Sequence, residues 1–135
     1  MLHANLTYPV FLIQALLPHF AEGSSVVFTG SSLGIYPHSM SLAYGVTKSG
    51  VHALTKNLVK FLAPHGIRVN AIAPGFVATE WQKTKPAEIV TSINSKISVN
   101  RFADPDEIAD AYLTVTDNPY FNGEILSIDG GYSYR

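Results

Sequence analysis

The chain has no cysteine at all, which excludes a disulfide scaffold and a thiolate zinc site. Charge is also sparse, at 14% of residues with a net charge of −1 and no block of either sign. A nucleic-acid surface or an anionic-membrane anchor needs such a block, so neither partner is expected. Long apolar runs are missing too. Val10 to Leu17 is apolar, but Gln14 interrupts it, no Lys or Arg precedes it and no small-x-small cleavage site follows. It reads neither as a signal peptide nor as a bilayer span. The five histidines, at positions 3, 19, 38, 52 and 65, show no metal-ligand spacing, and His52 reads as a helix-surface residue.

What is present suits one compact domain over residues 1–135. Apolar residues make up 47% of the chain, enough for a core, and no repeat or low-complexity tract interrupts it. The pattern predicts a helix over about 3–20, with Leu6, Val10, Ile13 and Leu17 on one face. A buried strand follows at 24–30 and a loop at 31–43. A long helix over 43–63, with Leu54, Leu58 and Leu62 on one face, is stopped by Pro64 and Gly66. A second strand at 67–73 ends at Pro74-Gly75. Residues 76–100 read as a mobile segment with helical pieces. Asp104-Pro105 then opens a helix to about Thr116, and Glu124 to Ile128 forms a last strand. Strands alternating with helices imply an α/β fold with parallel pairing and right-handed crossovers.

The residues with chemical promise are Ser31, Tyr44 and Lys48. Tyrosine is a poor base at neutral pH, with an ordinary pKa of ~10. A lysine four residues later shares its helix face, and that positive charge favours the phenolate, bringing the phenol toward general acid/base work. Ser31, at the end of a strand, would hydrogen-bond a substrate oxygen and steady charge developing there. A bare Tyr-x-x-x-Lys is a weak signal, so its surroundings carry the reading.

Two other readings of the local glycines are opposed by the residues that follow them. Thr29-Gly-Ser-Ser-Leu-Gly34 imitates the start of a dinucleotide-binding turn, but Pro37 opposes the helix that would have to open near Gly34, and no acidic residue stands ~20 positions on. Gly30-Ser-Ser-Leu-Gly34 also spells a hydrolase nucleophile elbow around Ser32. That arrangement needs an acid and then a histidine downstream. His65 is the last histidine, and no Asp or Glu lies between it and Ser32.

Ser31 with Tyr44-x-x-x-Lys48 resembles the active site of short-chain dehydrogenases/reductases. The likeness continues in order through Asn5-Leu6, Ile67-Arg-Val-Asn-Ala-Ile-Ala-Pro-Gly75, Thr79, Arg101-Phe-Ala-Asp-Pro-Asp-Glu-Ile108 and Asn122-Gly-Glu-Ile-Leu-Ser-Ile-Asp-Gly-Gly131. The resemblance implies a partial Rossmann-like, doubly wound parallel sheet of about three strands with flanking helices. It implies NAD or NADP as cofactor and an alcohol or ketone as substrate, with a 3-oxoacyl reductase-like reaction among the options. Tyr44 would then exchange the proton, Lys48 would assist it and hold the nicotinamide ribose, and Asn5 would anchor a relay water behind Lys48. Pro74, Gly75, Val77 and Thr79 would cradle the nicotinamide end. Leu33, Tyr36 and Trp81, with Ser31, would line the substrate pocket. A cytoplasmic location and a homo-oligomer through the helices at 3–20 and 43–63 also follow from the resemblance.

Members of that family run to roughly twice this length and begin with a Gly-rich pyrophosphate turn. The likeness here spans the C-terminal half of their fold, so these 135 residues alone are expected to bind cofactor no better than millimolar. Val26-Val-Phe28 would form an unpaired apolar edge. A second reading is therefore a catalytically inactive remnant or a dimerising interaction module.

Overall fold

The computed structural model describes residues 1–36 and 41–134. The loop expected at 31–43, with Pro37 and His38, therefore lies partly outside the described residues. Helix α1 (Tyr8–Leu16) is preceded by a π-helical turn at His3–Thr7 and followed by a 3₁₀ turn at Leu17–His19. Together they match the helix expected over 3–20. Strand β1 is Ser25–Thr29, helix α2 Leu42–Leu62 and strand β2 Arg68–Pro74. Two short helices, α3 (Glu80–Lys83) and α4 (Ala87–Asn94), precede α5 (Pro105–Asp117) and strand β3 (Ile125–Ile128).

The three strands form one parallel sheet in the order β1-β2-β3. This is the open, partial Rossmann-like arrangement expected from alternating strands and helices. Strand β2 is central, and Val69, Asn70, Ala71, Ile72 and Ala73 are all fully buried. That burial is why 67–73 reads as a nearly continuous apolar run: both faces of a parallel strand are covered by helices. On one side, Val69 packs with Ile13, Leu62 and Ile67, and with Val26, Phe28 and Leu58. On the other, Ile72 packs with Ile108, Ala111 and Val115 of α5, and with Val27 and Leu126.

Helix α5 is held at both ends. Asp104 accepts from the Asp106 N–H at 3.0 Å, and Glu107 reaches back to the Asp104 N–H at 2.7 Å, a reciprocal capping box. At the other end, the Arg68 guanidinium donates to the carbonyls of Val115, Thr116, Asn118 and Phe121. These are the carbonyls that a helix end and the chain leaving it would otherwise leave without donors. Asn70, fully buried, donates to the Phe121 carbonyl and accepts from the Glu124 N–H, each at 3.0 Å. Asn122 Oδ1 in turn accepts from the Val69 N–H at 3.1 Å. Two polar residues on β2 and one in the loop ahead of β3 thus fix where β3 enters the sheet.

Two expected faces differ from what is observed. Val10 is 40% exposed, while Leu6 packs against Gly50 of α2 and Ile13 is buried. On α2 the buried residues are Thr47, Lys48, Val51, His52, Thr55 and Leu62. Along the Leu54-Leu58-Leu62 face, Leu54 and Leu58 are half-buried and Leu62 is fully buried, while the N-terminal half of α2 packs Lys48 and His52 against the end of β1 and the turn that follows it. No helix among the described residues is long and apolar enough to cross a membrane.

Candidate active site

The site sits where β1 ends and α2 passes beneath the turn that follows. Ser31 is extended, with φ −168° and ψ 148°, and caps a 3₁₀ turn at Ser32–Gly34. Its Oγ accepts from the Leu33 N–H at 3.2 Å. The hydroxyl proton is therefore left to donate elsewhere. The turn lies along α2, with the Leu33 carbonyl close to Gly45 and the Gly34 carbonyl accepting from Ser49 Oγ at 2.8 Å.

Lys48 is drawn into this corner. It is 6% exposed, and its Nζ donates to the Thr29 carbonyl at 2.8 Å. The same nitrogen lies 5.6 Å from the centre of the Tyr44 ring, within cation–π range. Burial pushes the Lys48 pKa down from its ordinary value, because desolvation disfavours the ammonium. The i,i+4 spacing thus does what it predicts: both side chains lie on one face of α2, and the lysine ties that face to the end of β1, two residues before Ser31.

Asn5 lies in the π-helical turn. Its Nδ2 donates to the Met1 carbonyl at 3.2 Å, and the Tyr8 N–H bonds back to the His3 carbonyl. The local cause is legible: Pro9 has no N–H, so the Asn5 carbonyl lacks the donor an α-helix would supply four residues on.

Pro74 ends β2 and Gly75 follows it, with the Gly75 N–H donating to the Ile128 carbonyl at 2.9 Å. Beyond it, the Phe76 carbonyl accepts from the Ala103 N–H at 2.9 Å, and the Ala78 N–H donates to the Ala103 carbonyl at 2.8 Å. In such a parallel bridge the residue between, Val77, points its own N–H away from Ala103. Its carbonyl accepts from the Thr79 N–H at 2.8 Å. Thr79 itself is exposed and precedes α3.

The four substrate candidates are not equally grouped. Ser31 is buried and Leu33 half-buried within one turn, and Tyr36, 40% exposed, follows directly. Trp81 is 76% exposed on α3.

Some residues that build the site carry no motif of their own. His52 is 7% exposed rather than on the helix surface, and its Nε2 accepts from the Ser31 N–H at 3.4 Å. The spacing does carry a signal for it, since it stands four residues after Lys48 and shares that face. Thr29 contributes only a backbone carbonyl, which no side-chain pattern announces.

A nicotinamide cofactor fits the residues present in two respects. Among the described residues the buried ammonium of Lys48 uses one acceptor, the Thr29 carbonyl, which leaves N–H bonds of the kind ribose hydroxyls can accept. The Val77 amide, turned from its bridge partner, offers a donor of the kind a carboxamide oxygen requires.

The family described as enoyl-(acyl carrier protein) reductase matches residues 1–133. Among curated relatives, the short-chain dehydrogenase/reductase SDRA of Arabidopsis thaliana is 38% identical, over 97% of this chain and 53% of its own length. The 3-oxoacyl-(acyl-carrier-protein) reductase FabG of Thermotoga maritima is 33% identical, over 97% of this chain and 55% of its own. Among solved structures, a short-chain dehydrogenase family protein of Francisella tularensis superposes with a TM-score of 0.91 at 28% identity, covering 99% of this chain and 61% of that one. A small-chain dehydrogenase in complex with NADPH gives 0.84 at 29% identity, over 93% of this chain and 58% of that one. The chain spans about half the length of the curated relatives it matches. With a parallel sheet, a Tyr-x-x-x-Lys helix after β1 and a family match running from the first residue almost to the last, the chain belongs to the short-chain dehydrogenase/reductase family.

Proposed function

We propose that the protein, at its natural length, is an NAD(P)-dependent oxidoreductase that interconverts an alcohol and a ketone. The observation that carries this reading is the corner formed by Ser31, Tyr44 and Lys48. A bound nicotinamide supplies or accepts the hydride. In the direction of reduction, the Tyr44 hydroxyl gives its proton to the carbonyl oxygen as the carbon gains the hydride. Ser31 donates a hydrogen bond to the same oxygen, using the proton that its Leu33 contact leaves free. Lys48 supports the phenolate that results: its ammonium stands 5.6 Å from the ring centre in a water-poor corner, where charge acts more strongly than in bulk water.

Pro74, Gly75, Val77 and Thr79 hold the nicotinamide end in this reading, and Lys48 holds the ribose. Asn5 serves through its carbonyl: freed by Pro9 from its helical donor, that oxygen can hold a water on the path from Lys48 to solvent. Leu33 and Tyr36 border the substrate beside Ser31. Trp81 joins them only when substrate covers it. A 3-oxoacyl thioester is one candidate substrate, supported by the similarity to FabG. A second copy is proposed to cover the exposed apolar residues of α1 and α2, among them Tyr8, Phe11, Val46 and Phe61.

The test is Tyr44→Phe in the protein at its natural length, with NADH and NADPH each offered with simple and 3-oxoacyl ketones. Turnover should fall by about 10³-fold or more while cofactor affinity stays within a few-fold. Retained turnover refutes the role of Tyr44. Parent protein that binds neither cofactor favours the interaction-module reading instead.

A further inference from the structure

The reaction above uses Ser31, Tyr44 and Lys48, but not the buried imidazole behind them. His52 lies on α2 one turn beyond Lys48, and its Nε2 accepts from the Ser31 backbone N–H at 3.4 Å. The same ring lies against the Gly34 backbone, which raises its proton affinity. The turn makes room for it at both ends: a Cβ on Gly30 would overlap Nε2, and one on Gly34 would come within 2.8 Å of Cε1. A single ring therefore spans the turn that carries Ser31.

A neutral imidazole has one donor and one acceptor nitrogen. With Nε2 accepting from Ser31, the proton belongs on Nδ1. Burial lowers the pKa of the ring from its ordinary value, the Gly34 backbone opposes this, and the charges of Lys48 and Lys56 on the same helix lower it further. Across from the helix, the ring meets Gly30, Ser31 and Gly34, none of which carries a titratable side chain. At neutral pH the ring is uncharged.

We propose that His52, as its Nδ1–H tautomer, is a positioning residue that clamps both ends of the 30–34 turn and so fixes Ser31 against the substrate oxygen. The clamp itself is a property of the fold; its effect on rate rests on the oxidoreductase reading. An imidazolium has two donors and no acceptor, so protonation sets an N–H against the Ser31 N–H and opens the clamp.

Two measurements test this. Long-range ¹H–¹⁵N NMR of the full chain labelled at histidine should show His52 with Nδ1 protonated and Nε2 bare at neutral pH. The exposed His3 and His19 serve as internal controls. An Nε2–H tautomer at His52, or averaging like that of the controls, overturns the proposal. This readout needs no turnover, so it stands or falls apart from the Tyr44→Phe result. The second measurement uses the protein at its natural length. His52→Leu should lower kcat about tenfold with the cofactor KM unchanged. His52→Gln, whose side-chain carbonyl can accept from Ser31, should recover most of that loss. The parent kcat should fall as pH drops through the His52 titration, and the Gln variant should lack that limb. Equal losses in folded Leu and Gln variants, or an acid limb that survives in the Gln variant, overturn the proposal.

Discussion

Replacing Lys48 by methionine keeps an unbranched side chain of similar length, with sulfur in place of one methylene, and removes the ammonium. In the fold that ammonium is almost fully buried and donates to the Thr29 carbonyl at 2.8 Å. A hydrogen bond from a charged donor is worth about 1.5–3 kcal/mol. Removing a charge from water costs several kcal/mol. The two nearly cancel, and the direction of the pKa shows which is larger: burial lowers it from 10.5, so the charged form is held less well in the folded chain than in the unfolded one. As pH rises through the folded value toward 10.5, the folded state sheds its proton first. The unfolded chain then binds more protons, and stability rises with pH across that window. The gain is about 1.4 kcal/mol for each tenfold weakening of proton affinity. Below the window, lysine is charged in both states and the burial cost is present in full. Lys48→Met should therefore stay within about 2 kcal/mol of the parent at pH 7, and its standing relative to the parent should worsen as pH climbs. Urea denaturation of both proteins at a series of pH values, taken as a difference so that other groups cancel, measures this. A loss beyond about 4 kcal/mol at pH 7, or a difference that ignores pH, would refute the balance of burial and charge argued here.

Asn70→Asp keeps the acceptor for the Glu124 N–H but sets an oxygen against the Phe121 carbonyl. It should cost about 3 kcal/mol or more by denaturation at neutral pH, and less in acid, where the carboxyl regains a proton to donate. Gly75→Ala would bring its Cβ to 2.8 Å from Asp129 Cα and Cβ; a lowered Tm, from a cost of about 1–3 kcal/mol, is expected. Asp104→Ala removes the α5 cap and should lower stability by about 1 kcal/mol. The Arg101 guanidinium beside Glu107 holds its carboxyl at about 2 against an ordinary 4.5. Stability from that contact is present above pH 4.5 and is lost as pH falls through about 2, a trend that Glu107→Gln should flatten in acid titrations followed by circular dichroism.

Much of the fold is legible in the residues, for identifiable reasons. Pro64 and Gly66 stop α2, Asp104-Pro105 opens α5, and β2 reads as a buried parallel strand because both of its faces are covered. Tyr44 and Lys48 share a face because helical geometry fixes the direction of residues four apart. The polar packing is not legible. Arg68 and Asn70 look like ordinary strand residues until the tail of α5 and the loop ahead of β3 arrive more than 45 positions later. Their roles depend on non-local carbonyls, which no local pattern encodes. His52 reads as a surface residue because histidine on a helix is commonly solvated; the glycines at 30 and 34 that admit its ring act from a different element. The buried stripe of α2 begins at Thr47 and Lys48 rather than at leucines, because these polar groups bond carbonyls at Ala43 in the helix itself and at Thr29 at the end of β1.

Following a labelled hydride tests the proposed reaction itself. The protein at its natural length would be given reduced nicotinamide cofactor with both hydrogens of the transferring carbon replaced by deuterium, with a ketone substrate, and the product analysed by mass spectrometry. An alcohol with a single deuterium on the former carbonyl carbon, formed by the parent and lost in Tyr44→Phe, is the result expected. Unlabelled alcohol would contradict hydride transfer from the nicotinamide, and labelled product made equally well without the Tyr44 hydroxyl would contradict proton transfer from the Ser31-Tyr44-Lys48 corner.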